Sequence, residues 1–296
     1  MEISTLLIAN RSEIAIRIAR AASDLGIRTV AIYSEDDQDN LHLRVADETA
    51  ALAGAGPNAY LDVNNIISIA KARGCDAIHP GYGFLSERVD FAERCREEGL
   101  IFIGPREEHL SLFGDKTAAR NTAENIGIPV LRGINHAVSA EEAKEFFEKI
   151  SPNHVIIKAL AGGGGRGTRV VTSIDEMEAL YDRCKSEANA AFGRDEVYVE
   201  EFIPRAQHIE VQIVGDNDGK VIQLGERECS YQRRYQKLIE IAPAPFLNNK
   251  LRNKITQAAL NFAEHVRYNN LGTFEFLVDV SDDHDEERFA FIETNA

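Results

Sequence analysis

Through about the first 110 residues, short apolar runs alternate with stretches whose apolar residues recur every three or four positions. Runs at 5–9, 29–33, 75–78 and 100–103 predict strands. Ile14, Ile18, Ala22 and Leu25 sit a turn apart and predict a helix that Ser12 caps and Gly26 stops. The same spacing predicts helices at 66–72 and 91–98. Short strands separated by helices predict a parallel sheet with crossover helices.

After Gly127-Ile128-Pro129 the pattern changes. Helices are predicted at 141–149 and 175–190, with strands at 155–158 and 197–202. Residues 208–214 then alternate polar with apolar, turn at 216–219 and return through 221–224, a hairpin pattern. Residues 273–280 and 289–294 flank an acidic loop at 281–287. The predicted fold is therefore α/β, a parallel-sheet domain followed by an α+β domain with antiparallel sheets. A length of 296 residues agrees with about two domains.

Charge narrows the partners. Lys and Arg number 33 against 48 Asp and Glu, a net charge of −15, which disfavours nucleic acid and anionic membrane. No apolar run approaches the ~18 residues of a membrane span, and the N-terminus lacks the basic lead of a signal peptide. The expectation is a cytoplasmic protein. Cys75, Cys95, Cys184 and Cys229 are scattered, as reduced thiols are, without zinc spacing. The first strand–turn–helix invites a dinucleotide reading, but its turn, Asn10-Arg11-Ser12-Glu13, has no glycine, so nicotinamide dinucleotide is not expected there.

Three segments carry chemistry. Residues 158–167, Lys-Ala-Leu-Ala-Gly-Gly-Gly-Gly-Arg-Gly, can bring a row of backbone N–H groups to phosphate oxygens. Lys158 and Arg166 charge its two ends, and a flexible linker is the alternative. In the second segment, a hairpin over 273–294 symmetric about His284 places Glu275 opposite Glu293 and Thr273 opposite Asn295. Its other face, Phe274, Phe276, Val278, Ala290 and Ile292, pins that register. Two opposed acids repel; beside an amide oxygen they suit a hard dication, Mg²⁺ where phosphates are near. A one-residue slip or an exposed acidic pair is the alternative. The third segment, 226–237, holds Arg233, Arg234 and Lys237, which can gather a small anion. A solvated charge run is the alternative there.

Together with I-A-N-R at 8–11, H-P-G-Y-G-F-L-S-E at 79–87, F-x-G-D-K at 113–116, A-P-A-P at 242–245 and G-T-F-E-F-L at 272–277, these segments resemble the biotin carboxylases, a family of ATP-grasp ligases. The resemblance runs over essentially the whole chain. It implies a domain at 1–114 and an ATP-grasp domain at 115–296 whose glycine-rich lid spans about 132–203. It further implies ATP between two antiparallel sheets, with Lys116 and Lys158 on the phosphates and Gly164 and Gly165 in the lid above them. Glu200, Glu201 and Ile203 match the adenine-binding strand and hinge. His208, Gln232, Leu277 and the Tyr235 position match further nucleotide contacts. Glu275, Glu293 and Asn295 match ligands of Mg²⁺ or Mn²⁺, and Lys237 matches a catalytic residue that holds bicarbonate. The implied reaction makes carboxyphosphate from bicarbonate and ATP, then carboxylates biotin. The partners are a biotin carboxyl carrier and a carboxyltransferase, with a homodimer allowed.

Tyr235 departs from the family's usual His, and Ala161 replaces the first glycine of an often longer run. The family's sequence continues past Asn295 into an arginine, a glutamate base and a third domain. The expectation is therefore an ATP-grasp domain incomplete at its C-terminus and inactive alone. A ligase like carbamoyl phosphate synthetase and a non-catalytic nucleotide-binding fragment are the rival readings. The 79–87 motif and the Q-R-R-x-Q-K run at 232–237 argue against the first.

Overall fold

The computed structural model describes residues 2–160, 167–233, 236–281 and 288–296. The chain forms two compact units, Met1–Gly114 and Asp115–Asn295.

In the first unit, β1 (Thr5–Ile8), β2 (Arg28–Tyr33), β3 (Glu48–Ala51), β4 (Ala77–His79) and β5 (Ile101–Phe102) form a parallel sheet in the order β3-β2-β1-β4-β5. The helices α1 (Ser12–Asp24), α2 (Val63–Ala72), α3 (Val89–Glu97) and α4 (Glu107–Gly114) belong to the same unit. All four residues of β1 are buried, which is why it reads as a continuous apolar run and not an alternating one. One expectation fails locally. Ser12 does not cap α1: it is the first helical residue, Arg11 precedes it in extended conformation, and no side chain caps the end. Ser12 takes a φ of +57°, a region that favours glycine.

The sheet order reverses between β1 and β4, the place where open α/β sheets take their ligands. Here Asn10 donates from Nδ2 to the carbonyls of Pro80 (2.6 Å) and Tyr82 (2.8 Å). A Cβ on Gly81 would lie 2.6 Å from that nitrogen. Arg11 pairs with Asp37 at 2.9 Å and lies over the rings of Tyr60 and Phe84. The I-A-N-R and H-P-G-Y-G-F-L-S-E segments thus lock to each other.

The second unit opens with α5 (Lys116–Asn125), whose first turn is capped by Asp115. A small antiparallel sheet, β7-β6-β8, is built from β6 (His154–Ala159), β7 (Thr168–Val171) and β8 (Val197–Phe202). It shares an apolar core with α6 (Ala140–Ile150) and α7 (Met177–Phe192). A larger antiparallel sheet, β11-β10-β9-β12-β13, contains β9 (Ala206–Gly215), β10 (Val221–Arg233), β11 (Gln236–Ile241), β12 (Asn270–Asp279) and β13 (Arg288–Asn295). Helix α8 (Asn249–His265) backs it, with Phe262 edge-on to Phe274 and Phe291.

The β12–β13 hairpin pairs Glu275 with Glu293 and Thr273 with Asn295, but a register shift follows immediately. Beyond it Phe276 faces Phe291 and Leu277 faces Ala290. The extra residue, Ile292, is a bulge. The expected core face is therefore corrected. Phe291 joins Phe274 and Phe276 in the core, while Ala290 and Ile292 pack with Leu131, Ile203 and Leu277 on the other side.

Candidate active site

Residues from both sheets of the second unit line a cavity of about 340 Å³. Leu131, Ile156, Ile203, Leu277 and Ile292 give it an apolar wall. Its polar wall follows from strand alternation. Glu275 is paired with Glu210 and Leu277 with His208 across β12 and β9, and directly paired residues share a face. Gln232 and Lys237 pair across β10 and β11.

At the centre is Glu275, only 1% exposed. Lys237 Nζ donates to Glu275 Oε1 at 2.8 Å and to Glu210 Oε2 at 2.6 Å. His208 Nε2 lies 2.5 Å from Glu275 Oε2, and the Asn295 amide also donates to Glu275. Gln232 Nε2 reaches His208 Nδ1 at 3.0 Å. An amide donor on Nδ1 leaves the imidazole proton on Nε2, where it goes to Glu275. Burial by itself would raise the pKa of Glu275; the hydrogen bond from His208 and the charge of Lys237 outweigh it and hold the carboxyl below its ordinary value. Burial likewise works against the charge on Lys237, and Glu275 and Glu210 reverse it, so its pKa is raised. The expected repulsion between opposed acids is thus absent at Glu275. Its charge is compensated from β9 and β11, and Glu293, 39% exposed at its side chain, faces Lys116 at 3.8 Å.

Lys158 donates to Glu200, and Arg120 NH1 stands 3.8 Å from the same carboxylate. Burial disfavours the Lys158 charge, but Glu200 more than restores it. Glu201 points the other way along β8. Its carboxylate is filled by Arg132, Arg288 and Asn153, so to a ligand in the cavity it has only main chain to offer.

The structure therefore brings Lys116, Lys158, Glu200, Glu201, Ile203, His208, Gln232, Lys237, Glu275, Leu277 and Glu293 to one cavity, with Asn295 bonded to Glu275. Gly164, Gly165 and Tyr235 lie outside the described residues. Sequence reasoning missed Glu210, which holds Lys237, and Arg227, which donates to Glu210 at 2.7 Å. Glu210 follows His208 by two residues in an alternating strand, so the period-two rule already placed it on this face. Arg120, one helical turn after Lys116 on α5, was missed for want of a known helix.

For a dication, the donor set fits. Glu275, Glu293 and Asn295 offer hard oxygen atoms from facing strands, the kind Mg²⁺ and Mn²⁺ take. The atoms of His208, Glu210 and Glu275 also lie within 4.8 Å of one another.

Residues 2–110 match the family described as biotin carboxylase, N-terminal domain, and residues 115–296 match the carbamoyl-phosphate synthase L chain, ATP binding domain. Pyruvate carboxylase of Bacillus subtilis (strain 168) is 53% identical over 296 residues, 99% of this chain and 25% of that protein. The chain belongs to the biotin carboxylase family. A crystal structure of a biotin carboxylase–β,γ-ATP complex from Campylobacter jejuni superposes with a TM-score of 0.94 at 44% identity, covering 99% of this chain and 65% of that one. The biotin carboxylase domain dimer of Hydrogenobacter thermophilus 2-oxoglutarate carboxylase, in complex with MgADP, ADP and bicarbonate, gives 0.93 at 40% identity, over 100% of this chain and 64% of that one. This chain thus spans a quarter of the pyruvate carboxylase and just under two thirds of the two crystallised chains. Among the described residues no helix is long and apolar enough to cross a membrane.

Proposed function

We propose that this chain binds ATP, a divalent cation and bicarbonate for the ATP-dependent carboxylation of biotin on a carrier protein. The observation that carries the proposal is the convergence of Lys116, Lys158, Lys237 and the Glu275–Glu293 pair on one cavity with an apolar wall. In this reading the adenine lies against Ile203 and Leu277 and meets the main chain of Glu200, Glu201 and Ile203. Lys116 and Lys158 exchange their carboxylate partners for phosphate oxygens. Glu275, Glu293 and Asn295 hold Mg²⁺ or Mn²⁺, which neutralises charge building on the phosphates. His208 and Gln232 orient Glu275. Lys237, fully charged between Glu210 and Glu275, holds bicarbonate for attack on the γ-phosphate to give carboxyphosphate and ADP.

The reading assigns residues 1–114 to the biotin carboxylase N-terminal domain and 115–296 to the ATP-grasp domain. Within the latter, 132–203 is the lid, whose Gly164 and Gly165 cover the phosphates with Tyr235 near the nucleotide. A biotin carboxyl carrier and a carboxyltransferase are the proposed partners, and the chain is proposed to dimerise.

Calorimetric titration of the chain with MgATP tests this directly. Binding is expected, weakened at least about tenfold, ~1.4 kcal/mol, by Lys158→Ala. With MgADP bound, bicarbonate is expected to bind and to lose that binding in Lys237→Gln. An unsubstituted chain that takes up no nucleotide, or a Lys158→Ala chain with unaltered affinity, overturns the assignment.

A further inference from the structure

Glu200 stands between two hollows. On one side is the cavity described above, which Lys158 also lines. On the other is a much smaller void of about 20 Å³, lined in part by Arg120, Asn135 and Tyr198, with Lys116 and Glu200 common to both. Strand pairing accounts for the first side. Ile156 is opposite Glu200 and Tyr198 opposite Lys158 across β6 and β8, so the lysine and the carboxylate are diagonal neighbours on one face. Helix spacing accounts for the second. Arg120 follows Lys116 by four residues on α5, on the same face of the helix.

The two cations meet different atoms of this carboxylate. Lys158 donates to Oε1, whereas Arg120 NH1 stands 3.8 Å from Oε2, outside hydrogen-bond range. Among the described residues no other cation pairs with Glu200, whose side chain is only 7% exposed. The guanidinium is under-used. Its NH2 donates to the Leu131 carbonyl, and its Nε is buried with no hydrogen-bond partner. Arg120 is not among the residues that line the larger cavity, so its role is not to touch a ligand there. An ammonium and a guanidinium on separate oxygens can leave separately. A buried carboxylate stripped of its close cation is left uncompensated, which costs far more than losing an exposed pair. Lys158 is therefore free to turn to another anion only if something else takes Glu200.

We propose that Arg120 is a positioning residue that takes Glu200 over when Lys158 turns to a phosphate. The guanidinium closes the 3.8 Å gap to Oε2 with donors that it does not otherwise use. Lys158 keeps its charge and changes partner, and Glu200 is never left as a buried charge alone. That the new partner of Lys158 is a phosphate rests on the nucleotide reading above; that Arg120 stands in for Lys158 at Glu200 does not.

Removing Lys158 imitates its departure, so the first test needs no ligand. Urea titrations compare Lys158→Ala, Arg120→Gln and the double variant near neutral pH. Each single variant leaves one cation for Glu200 and is expected to raise the unfolding equilibrium constant modestly. The double variant leaves none, and its constant is expected to exceed the product of the two single effects by at least about tenfold. The bond to the Leu131 carbonyl is lost in both variants that lack Arg120 and cancels in the comparison. Effects that simply multiply overturn the proposal. MgATP affinity gives a second test and serves if the double variant fails to fold. Arg120→Gln is expected to weaken binding about tenfold and Arg120→Lys to keep most of it. In a Glu200→Gln background, where no charge needs a new partner, the loss from Arg120→Gln is expected to vanish. An arginine that only supports the fold would cost the same factor with or without Glu200, and that result overturns the proposal as well. If the unsubstituted chain takes up no nucleotide, the nucleotide reading fails and the urea comparison still decides the role of Arg120.

Discussion

Two side chains show how a single position carries information about its surroundings. Ser12 holds a left-handed backbone, φ +57°, at the first position of α1, with only a 3.5 Å contact from Asn40 to its hydroxyl. Glycine pays no Cβ penalty there, so Ser12→Gly is expected to stabilise the protein by about 1 kcal/mol, read as a higher urea midpoint. An unmoved midpoint would mean that the hydroxyl contact matches the backbone strain. Glu275 behaves in the opposite sense to what two opposed acids suggest. Its charge is wanted by Lys237, His208 and Asn295, and removing it leaves the Lys237 ammonium half-partnered. Glu275→Gln is expected to destabilise the unliganded chain by about 1–3 kcal/mol, seen in the same urea titration, and to weaken Mg²⁺-dependent ATP binding. A stabilised variant would restore the repulsion picture.

At the level of elements, the end of β8 and the bulge in β13 organise the site. Ile292 shifts the strand by one residue, so that β13 gives Phe291 to the core and still presents Glu293 and Asn295 opposite Glu275 and Thr273. A regular hairpin would satisfy only one of those faces. At β8, burial tends to raise the pKa of Glu201, and the hydrogen bonds and charges of Arg288 and Arg132 overcome it, bringing the carboxyl from an ordinary 4.5 down to about 2. A depressed carboxylate stabilises above its unfolded pKa and loses that stabilisation as pH falls through the folded one. Between pH 4.5 and about 2 the native chain is expected to lose on the order of 3 kcal/mol more than Glu201→Gln does. Denaturant titrations of both at several acid pH values measure the difference, and parallel curves would refute it.

For the molecule as a whole, charge decides how an acidic protein takes an acidic ligand. At the cavity Lys116, Lys158 and Lys237 meet Glu200, Glu275 and Glu293, and Glu201 is already neutralised by two arginines. Among the described residues lining the cavity, carboxylates thus match the lysines that would meet a triphosphate, on a chain of net charge −15. ATP is therefore expected to bind at least about tenfold more weakly, ~1.4 kcal/mol, when EDTA removes divalent cations. Calorimetry with and without the chelator checks this, and equal affinities would show that the lysines suffice. All three lysines are ion-paired at the cavity, each with a carboxylate that a phosphate or carbonate oxygen can replace.

Sequence by itself determined the alternation of strands and helices before residue 110, the change to antiparallel pairing after Pro129, and the opposition of Glu275 to Glu293. All of these depend on local periodicity, which is written in neighbouring residues. The family resemblance likewise named more than half of the cavity's lining, although Glu200, Glu201, Ile203 and His208 lie outside the contiguous motifs that carry it. Only the tertiary structure decided the one-residue shift at Ile292, since a bulge leaves the apolar pattern of a short strand nearly unchanged. It also decided what neutralises each charge. Glu201 meets Arg288 across 87 positions and Glu275 meets Lys237 across 38, separations over which no periodicity runs. Which carboxylate stays free for a ligand and which is spent on holding the fold depends on the register of several strands at once, and that register exists only when the sheets are assembled.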